Sequence, residues 1–146
     1  MTNRVVIQVA QLPADLPQIF QIRYQVFQIE QGVDPALEFD GKDEQAIHLL
    51  AYLNQIAVGT ARLRLLNPQT AKIERVAVLS EMRGLGIGKQ IMETALEVLK
   101  SANVAEVQIH AQEQVRNFYL GLGFVPEGAV FEEAGIPHVK MKKRLQ

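Results

Sequence analysis

The spacing of apolar residues in the first half of the chain predicts one helix among several strands. A β-branched run predicts an opening strand over residues 4–9. Apolar positions at the helical period follow, so we expect a helix that Asp15 caps and that ends near Gly32. Residues 33–43 combine acidic side chains with proline and glycine, a composition typical of a surface loop. Three further strands are expected over residues 48–53, 56–66 and 71–78.

The second half alternates helices and strands after a glycine-rich stretch at residues 79–89. An apolar stripe predicts a helix directly after this stretch, and Asn103 closes it. We then expect a strand over residues 104–109, a short helix over residues 112–122 and a closing strand over residues 137–143. This order predicts a single domain over residues 1–146, an α/β protein whose mixed sheet has an antiparallel front half.

Composition narrows the possible functions of this domain. Of the 146 residues, 48% are hydrophobic, which is enough for a sizeable core. The net charge of −1 gives no basic field for nucleic acid. The chain has no cysteine, which excludes disulfides, thiolate nucleophiles and cysteine-bound zinc. No apolar run reaches the roughly 20 residues of a membrane span, and the N-terminal run is too short for a signal peptide, so we expect a cytoplasmic protein.

The glycine loop (residues 83–89) has the features of an anion-binding loop. Its glycines at 84, 86 and 88 lie between a strand and a helix, where they let successive backbone N–H groups turn toward one point. The helix N-terminus adds partial positive charge, and Arg83 and Lys89 add full charges nearby. We therefore expect the loop to bind a phosphate or pyrophosphate group. The alternative is a turn that serves only chain geometry, which the two flanking cations disfavour.

Three phosphate-binding motifs compete for this loop. The ATP- or GTP-binding P-loop requires a hydroxyl residue after its lysine, and Gln90 stands there instead. The dinucleotide fingerprint requires G-x-G-x-x-G directly after a strand, whereas the spacing here is G-x-G-x-G. The third motif, [RQ]-x-x-G-x-[GA], is satisfied by Arg83, Gly86 and Gly88. We therefore favour the third motif.

With this loop the sequence resembles the GCN5-related N-acetyltransferase (GNAT) family, in which such a loop binds the pyrophosphate of coenzyme A. A second segment, residues 112–124, is similar to the family signature N-x-x-A-x-x-F-Y-x-x-x-G-F. The matching positions are Phe118, Tyr119, Gly123 and Phe124, whereas Gln112 and Val115 replace the asparagine and the alanine. Shorter segments at residues 26–31, 73–78 and 135–138 resemble an ElaA-like bacterial branch of the family.

The resemblance implies both a fold and an activity. The fold would be the GNAT fold, a central twisted mixed sheet flanked by helices. The activity would be direct transfer of an acetyl group from acetyl-CoA to a primary amine, without a metal and without a covalent enzyme intermediate. The acceptor would be a small molecule or a peptide, and many relatives form homodimers.

The resemblance also assigns residues to the co-substrate acetyl-CoA. The backbone of Val76, Ala77 and Val78 would bind the pantetheine arm and polarise the thioester carbonyl. Gln112 would offer its amide to a carbonyl of the co-substrate. The pyrophosphate would lie on Arg83, Gly84, Leu85, Gly86, Ile87, Gly88 and Lys89.

Acetyl transfer needs an acid for the leaving thiolate and a base for the amine. The resemblance makes Tyr119 the general acid, also in contact with acetyl-CoA, and a phenol with a pKa of about 10 suits a departing thiolate. Glu74 lies where relatives place a catalytic carboxylate, so we expect it to be the general base. Strand alternation would put it on the same side as Val76. His48, His138 and a water molecule are alternative bases, and the three histidines lack the spacing of a metal site.

In this family the acceptor usually enters between the first helix and the last strands. Here those regions are rich in carboxylates, which we expect to form an acidic mouth for a cationic amine; the alternative is a solvated acidic loop. The residues are Glu30, Asp34, Glu38, Asp40, Asp43, Glu44, Glu132 and Glu133. Three other functions stay open at this point: a CoA-binding module without catalysis, a nucleotide-binding protein and an interaction domain.

Overall fold

The structure, a computed structural model, describes residues 4–146. Within these residues the strands are β1 (Val5–Val9), β2 (Ile47–Leu53), β3 (Ile56–Asn67), β4 (Thr70–Val78), β5 (Glu106–Gln112), β6 (Val125–Pro126), β7 (Phe131–Glu133) and β8 (Ile136–Arg144). The helices are α1 (Leu16–Arg23), α2 (Pro35–Glu38), α3 (Ile87–Ser101) and α4 (Arg116–Gly121). A π-helical segment, Tyr24–Glu30, continues α1. Residues 1–3, part of the segment interpreted as too short for a signal peptide, lie outside this description.

The strands form one mixed sheet in the order β1-β2-β3-β4-β5-β8-β6, and β7 also pairs with β8. The strands β4 and β5 run parallel, whereas the other neighbouring pairs are antiparallel. The predicted mixed sheet with an antiparallel front half is therefore confirmed. Within the described residues, no helix is long and apolar enough to cross a membrane.

Helices cover the two faces of the sheet unequally. On one face, α3 packs its apolar stripe against inward-facing residues of β3, β4 and β5, and the fully buried residues of the helix are Ile87, Ile91, Met92, Ala95 and Leu99. On the other face, α1 and its continuation bury Ile19, Ile22 and Val26 against Leu50 and Ala77. Towards β5 and β8 this second face carries polar side chains that line a cavity instead of packing under a helix. The uneven cover leaves one half of the sheet free to act as a binding surface.

A β-bulge in β4 opens the sheet beside this cavity. Thr60 of β3 pairs with Ala77, but Arg62, two residues on, pairs with Glu74, so β4 carries an extra residue. Arg75 lies in the bulge with a φ of 55°, a conformation uncommon outside glycine. Parallel pairing of β4 with β5 ends at Lys72 after three positions. Beyond that point the two strands separate and form a cleft at their C-terminal ends.

The segment predicted as a surface loop is partly buried, so that prediction is wrong for two of its residues. It contains α2, and Glu38 and Asp43 are only 2% and 8% exposed. Their carboxylates pair with the guanidinium of Arg23, which is completely buried. A buried guanidinium requires anionic partners, and these carboxylates supply them. The segment is thereby fixed against the sheet.

Strand β5 continues to Gln112, beyond the predicted end of the strand at residue 109. The reason is its pairing with β8, which extends to Gln112 opposite His138. This pairing places His110 and Gln112 on one face of the strand, toward the cavity. The predicted short helix accordingly begins later, as a 3-10 turn at Glu113–Val115 followed by α4.

Close packing of β3 against α3 generates the first testable prediction. A Cβ atom at Gly59 would lie 2.8 Å from Cδ1 of Ile91 and 3.2 Å from the carbonyl oxygen of Ala77. We expect Gly59→Ala to lower the free energy of unfolding by about 1–3 kcal/mol because the core must shift. Urea unfolding of both proteins measures this difference.

The matched control for this prediction is Gly121→Ala in α4. No atom lies within 4 Å of a Cβ at that position, so we expect unchanged or slightly higher stability. Equal stability of Gly59→Ala and the unmodified protein would contradict the close packing described for this strand.

Candidate functional site

A cavity of about 740 Å³ lies where β4 and β5 separate. The end of β4, the glycine loop, α4 and the turn between β7 and β8 contribute to its walls. The predicted site residues among its lining are Glu74, Val76, Ala77, Val78, Arg83, Gly84, Gly86, Ile87, Gly88, Lys89, Gln112 and Tyr119. Leu85 is exposed and lies outside this lining. The cavity thus joins nearly all of the predicted site.

The glycine loop presents backbone N–H groups at the start of α3. Gly84 and Gly86 have φ values of 84° and 79°, which explains why glycine stands at both positions. Gly86 is the N-cap of α3, and its carbonyl oxygen accepts a hydrogen bond from the N–H of Gln90 at 3.1 Å. Within the described part of the chain, the N–H groups of residues 84–89 have no backbone partner. Such a set of free donors is what an anion needs.

Arg83 is paired with a carboxylate in this structure. Its two terminal nitrogens bind both carboxylate oxygens of Glu30, one of them at 2.6 Å. Its Nε donates to the carbonyl oxygen of Val78 at 3.0 Å. The hydrogen bond from Arg83 lowers the pKa of Glu30. The guanidinium is therefore held at the mouth of the loop with part of its charge compensated.

Gln112 is also engaged across the cleft. Its amide exchanges two hydrogen bonds with the amide of Gln31, at 3.0 and 3.3 Å. Gln31 directly follows Glu30, so these two neighbouring residues tie the end of the first helix to both sides of the cleft. They form a bridge between the glycine loop and β5.

The bulge changes which face of β4 each residue occupies. Val76 and Val78 pack against the core under α3, whereas Ala77 packs under α1. Glu74 binds Arg62 and so lies on the α1 face. The expectation that Glu74 shares a side with Val76 is therefore wrong, because the extra residue, Arg75, breaks the alternation.

Tyr119 lies at the wall of the cavity and is 8% exposed. Its ring makes edge-to-face contacts with Phe118 and Phe124, with centroids 5.0 and 6.0 Å away. Burial raises the pKa of its hydroxyl to about 12. The group is therefore a protonated donor at neutral pH.

Glu74 is the centre of a group of cations. Its Oε2 accepts hydrogen bonds from Nε of Arg62 at 2.8 Å and from Nε of Arg64 at 2.9 Å, and Nζ of Lys72 lies 3.4 Å from Oε1. Burial raises the pKa of Glu74, but the hydrogen bond from Arg64 and the charges of Arg62 and Lys72 outweigh it and lower the pKa to about 2. A carboxylate held so strongly in its charged form is a weak base, which disfavours its predicted role.

Four of the eight carboxylates of the predicted acidic mouth, Glu30, Glu38, Asp40 and Asp43, form ion pairs with arginines. Asp40 receives two hydrogen bonds from Arg62, at 2.7 and 2.8 Å, which lower its pKa. We call the ion pairs on this side of the sheet the arginine–carboxylate cluster. Its five cations are Arg23, Arg62, Arg64, Lys72 and Arg75, and its four carboxylates are Glu38, Asp40, Asp43 and Glu74. The cluster has no excess negative charge to attract a cationic amine.

The histidines occupy different environments. His48 is buried outside the cavity lining, and its Nε2 lies 2.8 Å from the carbonyl oxygen of Asp43. His138 lines the cavity, with Nδ1 2.7 Å from the carbonyl oxygen of Ile136. His110 also lines the cavity, with Nδ1 2.9 Å from Oε1 of Glu133. The structure therefore removes His48 as an alternative base, because it does not reach the cavity.

His110 is a cavity residue that was not among the site residues predicted from the sequence. The available signal was its two-residue spacing from Gln112, which places both on one face of a strand. The predicted strand ended at residue 109, so His110 and Gln112 were not expected to share a strand face. Among the described residues, no group of three or more histidine, aspartate or glutamate side chains is arranged to hold a metal ion.

Comparison with known proteins identifies the family. The acetyltransferase (GNAT) domain matches residues 17–145 of the chain. The chain belongs to the GNAT family. Family membership makes it an acyltransferase with the GNAT fold and indicates acyl transfer from a coenzyme A thioester.

Relatives agree with this assignment over nearly the whole chain. The YyaT protein of Bacillus subtilis is 40% identical over 135 residues, which cover 90% of each chain. The crystal structure of ElaA from Escherichia coli is 30% identical, with a TM-score of 0.83 over 97% of this chain and 99% of its own. The predicted resemblance to ElaA is thereby confirmed. A GNAT family acetyltransferase from Elizabethkingia anophelis, solved with acetyl-CoA bound, shares the fold at 17% identity and a TM-score of 0.76, covering 97% and 98% of the two chains.

The low pKa of Glu74 generates the second prediction. Its folded pKa, about 2, lies below its ordinary value of 4.5. The charged Glu74 therefore contributes stability above about pH 4.5, and this contribution is lost as the pH falls toward 2. We expect Glu74→Gln to cost about 3 kcal/mol of unfolding free energy at pH 7 and much less near pH 2–3. Denaturant unfolding across this range measures the difference.

An exposed carboxylate, Glu44, supplies the control as Glu44→Gln. We expect the stability of this variant to follow that of the unmodified protein at every pH. A stability loss in Glu74→Gln that stays constant from pH 7 to pH 2.5 would show that ion pairing does not hold the Glu74 side chain.

Proposed function

We propose that this protein transfers an acetyl group from acetyl-CoA to a primary amine on a small molecule or a peptide. The observation that carries the proposal is the meeting, in one cavity, of free loop N–H groups, two separating strands and a buried tyrosine. The N–H groups suit the pyrophosphate of coenzyme A, the separating strands suit its extended pantetheine arm, and the tyrosine suits the leaving thiolate.

The glycine loop would hold the pyrophosphate. Free N–H groups at the N-terminus of α3 fit phosphate oxygens without desolvating a side chain. Arg83 and Lys89 add positive charge at the rim. Because Arg83 already binds Glu30, we expect it to give less to CoA affinity than an unpaired arginine would.

The pantetheine arm would lie along the freed edge of β4. Where β5 separates from β4, the backbone of Val76, Ala77 and Val78 has no strand partner on that side. An amide-containing arm can pair with such an edge as another strand would. A backbone N–H there would donate to the thioester oxygen as negative charge develops on it. Gln112, if released by Gln31, has an amide available for the same arm.

Tyr119 would act as the general acid. Its raised pKa keeps the hydroxyl protonated at neutral pH, so it can donate a hydrogen bond and then a proton to the departing thiolate. Transfer would be direct from thioester to amine, in keeping with a chain that has no cysteine to carry the acetyl group. The acetyl-CoA complex of the Elizabethkingia anophelis protein supports acetyl-CoA as the donor.

The test is Tyr119→Phe, which keeps the ring and removes the hydroxyl. We expect kcat for acetyl transfer to fall about 10²- to 10⁴-fold, with little change in the KM for acetyl-CoA. The assay follows release of the CoA thiol in the presence of a panel of primary amines: butylamine, spermidine, glucosamine and a short peptide with a free N-terminus.

Tyr52→Phe is the matched control, because Tyr52 lies on β2 outside the cavity lining. It should keep full activity. Full activity in Tyr119→Phe would overturn the role of the tyrosine. Tight acetyl-CoA binding without turnover on any amine would instead favour a CoA-binding module that does not catalyse transfer.

A further inference from the structure

Removal of a proton from the acceptor amine has no good candidate in the residues assigned so far. Glu74 is bound by three cations, and His48 lies outside the cavity lining. His138 is only 6% exposed, and its Nε2 lies 3.8 Å from a carboxylate oxygen of Glu133. We propose that His110 is the general base and that Glu133 positions it. This inference rests on the proposed acetyl transfer and names the side chain that receives the proton.

The contact between His110 and Glu133 fixes the tautomer of the imidazole. An ionised carboxylate can only accept a hydrogen bond, so Nδ1 of His110 must carry the hydrogen shared with Oε1 over 2.9 Å. The hydrogen bond from His110 lowers the pKa of Glu133, which keeps the carboxylate ionised. The neutral ring then holds its lone pair on Nε2, and no described residue forms a hydrogen bond with that atom. This is the arrangement of a histidine base with a carboxylate behind it.

The fold holds this ring at the cavity in three ways. His110 lies two residues beyond Gln108, the last residue of β5 to pair with β4, so the cleft begins beside it. The ring packs edge-to-face on Phe131 at 5.1 Å. Ala134 and Gly135, both with positive φ, form the tight turn between β7 and β8, and this turn places Glu133 beside the ring. The His110 side chain remains 28% exposed, and a small amine can reach it.

The charged groups around His110 come from three strands, β4, β7 and β8. Glu133 of β7 is in contact, and Lys140 of β8 stands opposite His110 in the strand register. His138 of β8 has Nε2 3.8 Å from the other oxygen of Glu133. Lys72 and Glu74 of β4 complete the set, and Lys72 also lowers the pKa of Glu133. Glu133 is thus the anion nearest to the ring, and it stabilises the imidazolium that forms when Nε2 takes a proton.

The step balances with the groups present. The amine nitrogen bonds to the acetyl carbon, and the C–S bond breaks. One proton moves from that nitrogen to Nε2 of His110, and the hydroxyl proton of Tyr119 moves to the sulfur. Afterwards the imidazolium releases its proton to water, and Tyr119 takes one back, so the net products are the amide and the CoA thiol.

His110→Gln tests the proposal, with the fastest-acetylated amine of the four-member panel as the probe. We expect kcat to fall about 10²- to 10⁴-fold while the KM for acetyl-CoA stays unchanged. The fall in kcat toward acidic pH at saturating amine, which a histidine base imposes, should disappear from the profile. Imidazole added to His110→Ala should restore part of the activity. Thermal melting of each variant shows whether it has folded.

Two further variants separate the roles of the neighbours. His138→Gln tests the alternative base: its ring is 6% exposed and its Nδ1 is held by the carbonyl of Ile136, so the acidic limb should remain in this variant. Glu133→Gln keeps an acceptor for Nδ1 but removes the charge. We expect the acidic limb of its profile to move to lower pH, which a merely structural role would not produce.

The outcomes distinguish this inference from the proposed function. If the pH profile of His110→Gln is unchanged, or if only His138→Gln loses the acidic limb, His110 is not the base. Neither result counts against acetyl transfer itself. No turnover by the unmodified protein on any of the four amines counts against both. Nitrogen NMR of labelled histidine gives a test without turnover: the Nδ1–H tautomer supports the proposal, and the Nε2–H tautomer overturns it.

Discussion

The separation of β4 from β5 is the constraint on which the rest of the site depends. Pairing between these strands stops after three positions, at Lys72, shortly before β4 bulges at Arg75. The separation frees a backbone edge, opens the cavity and leaves His110 facing the gap. A continuous parallel pair would use the same N–H and C=O groups for the sheet. Beyond Lys72, the N–H and C=O groups of β4 that face β5 are thus available to a ligand.

The arginine–carboxylate cluster supports this opening from one side. Arg75, in the bulge, donates to the carbonyl oxygens of Leu37 and Glu38, at 3.2 and 3.1 Å, and so holds the segment around α2 over the sheet. Arg62 binds that segment and Glu74 together. Replacing Arg62 or Arg75 with a neutral residue would leave their buried hydrogen-bond acceptors without a partner. Such a loss lowers the free energy of unfolding by more than a surface ion pair contributes. Glu74 is therefore better explained as part of the scaffold than as the base.

Local motifs made part of this site predictable, and non-local pairing decided the rest. The glycine loop and the Phe118-Tyr119 pair are short patterns whose chemistry can be read without the fold. The face of Glu74 could not be predicted, since one bulge residue reverses it. Glu30 and Arg83 are 53 residues apart, and His110 and Glu133 are 23 apart. Single-sequence spacing carries no signal for such pairs, because they depend on which strands and loops become neighbours.

Thermal melting with acetyl-CoA, CoA, ATP and NAD in parallel shows whether the cleft between β4 and β5 binds coenzyme A. At about 100 times its Kd, a ligand of the folded state adds about 2.7 kcal/mol, or roughly 5 to 10 °C for a chain of this size. Acetyl-CoA and CoA should produce this shift, and NAD and ATP should produce none. No shift with either CoA compound, or equal shifts with all four, would contradict binding of coenzyme A in the cleft.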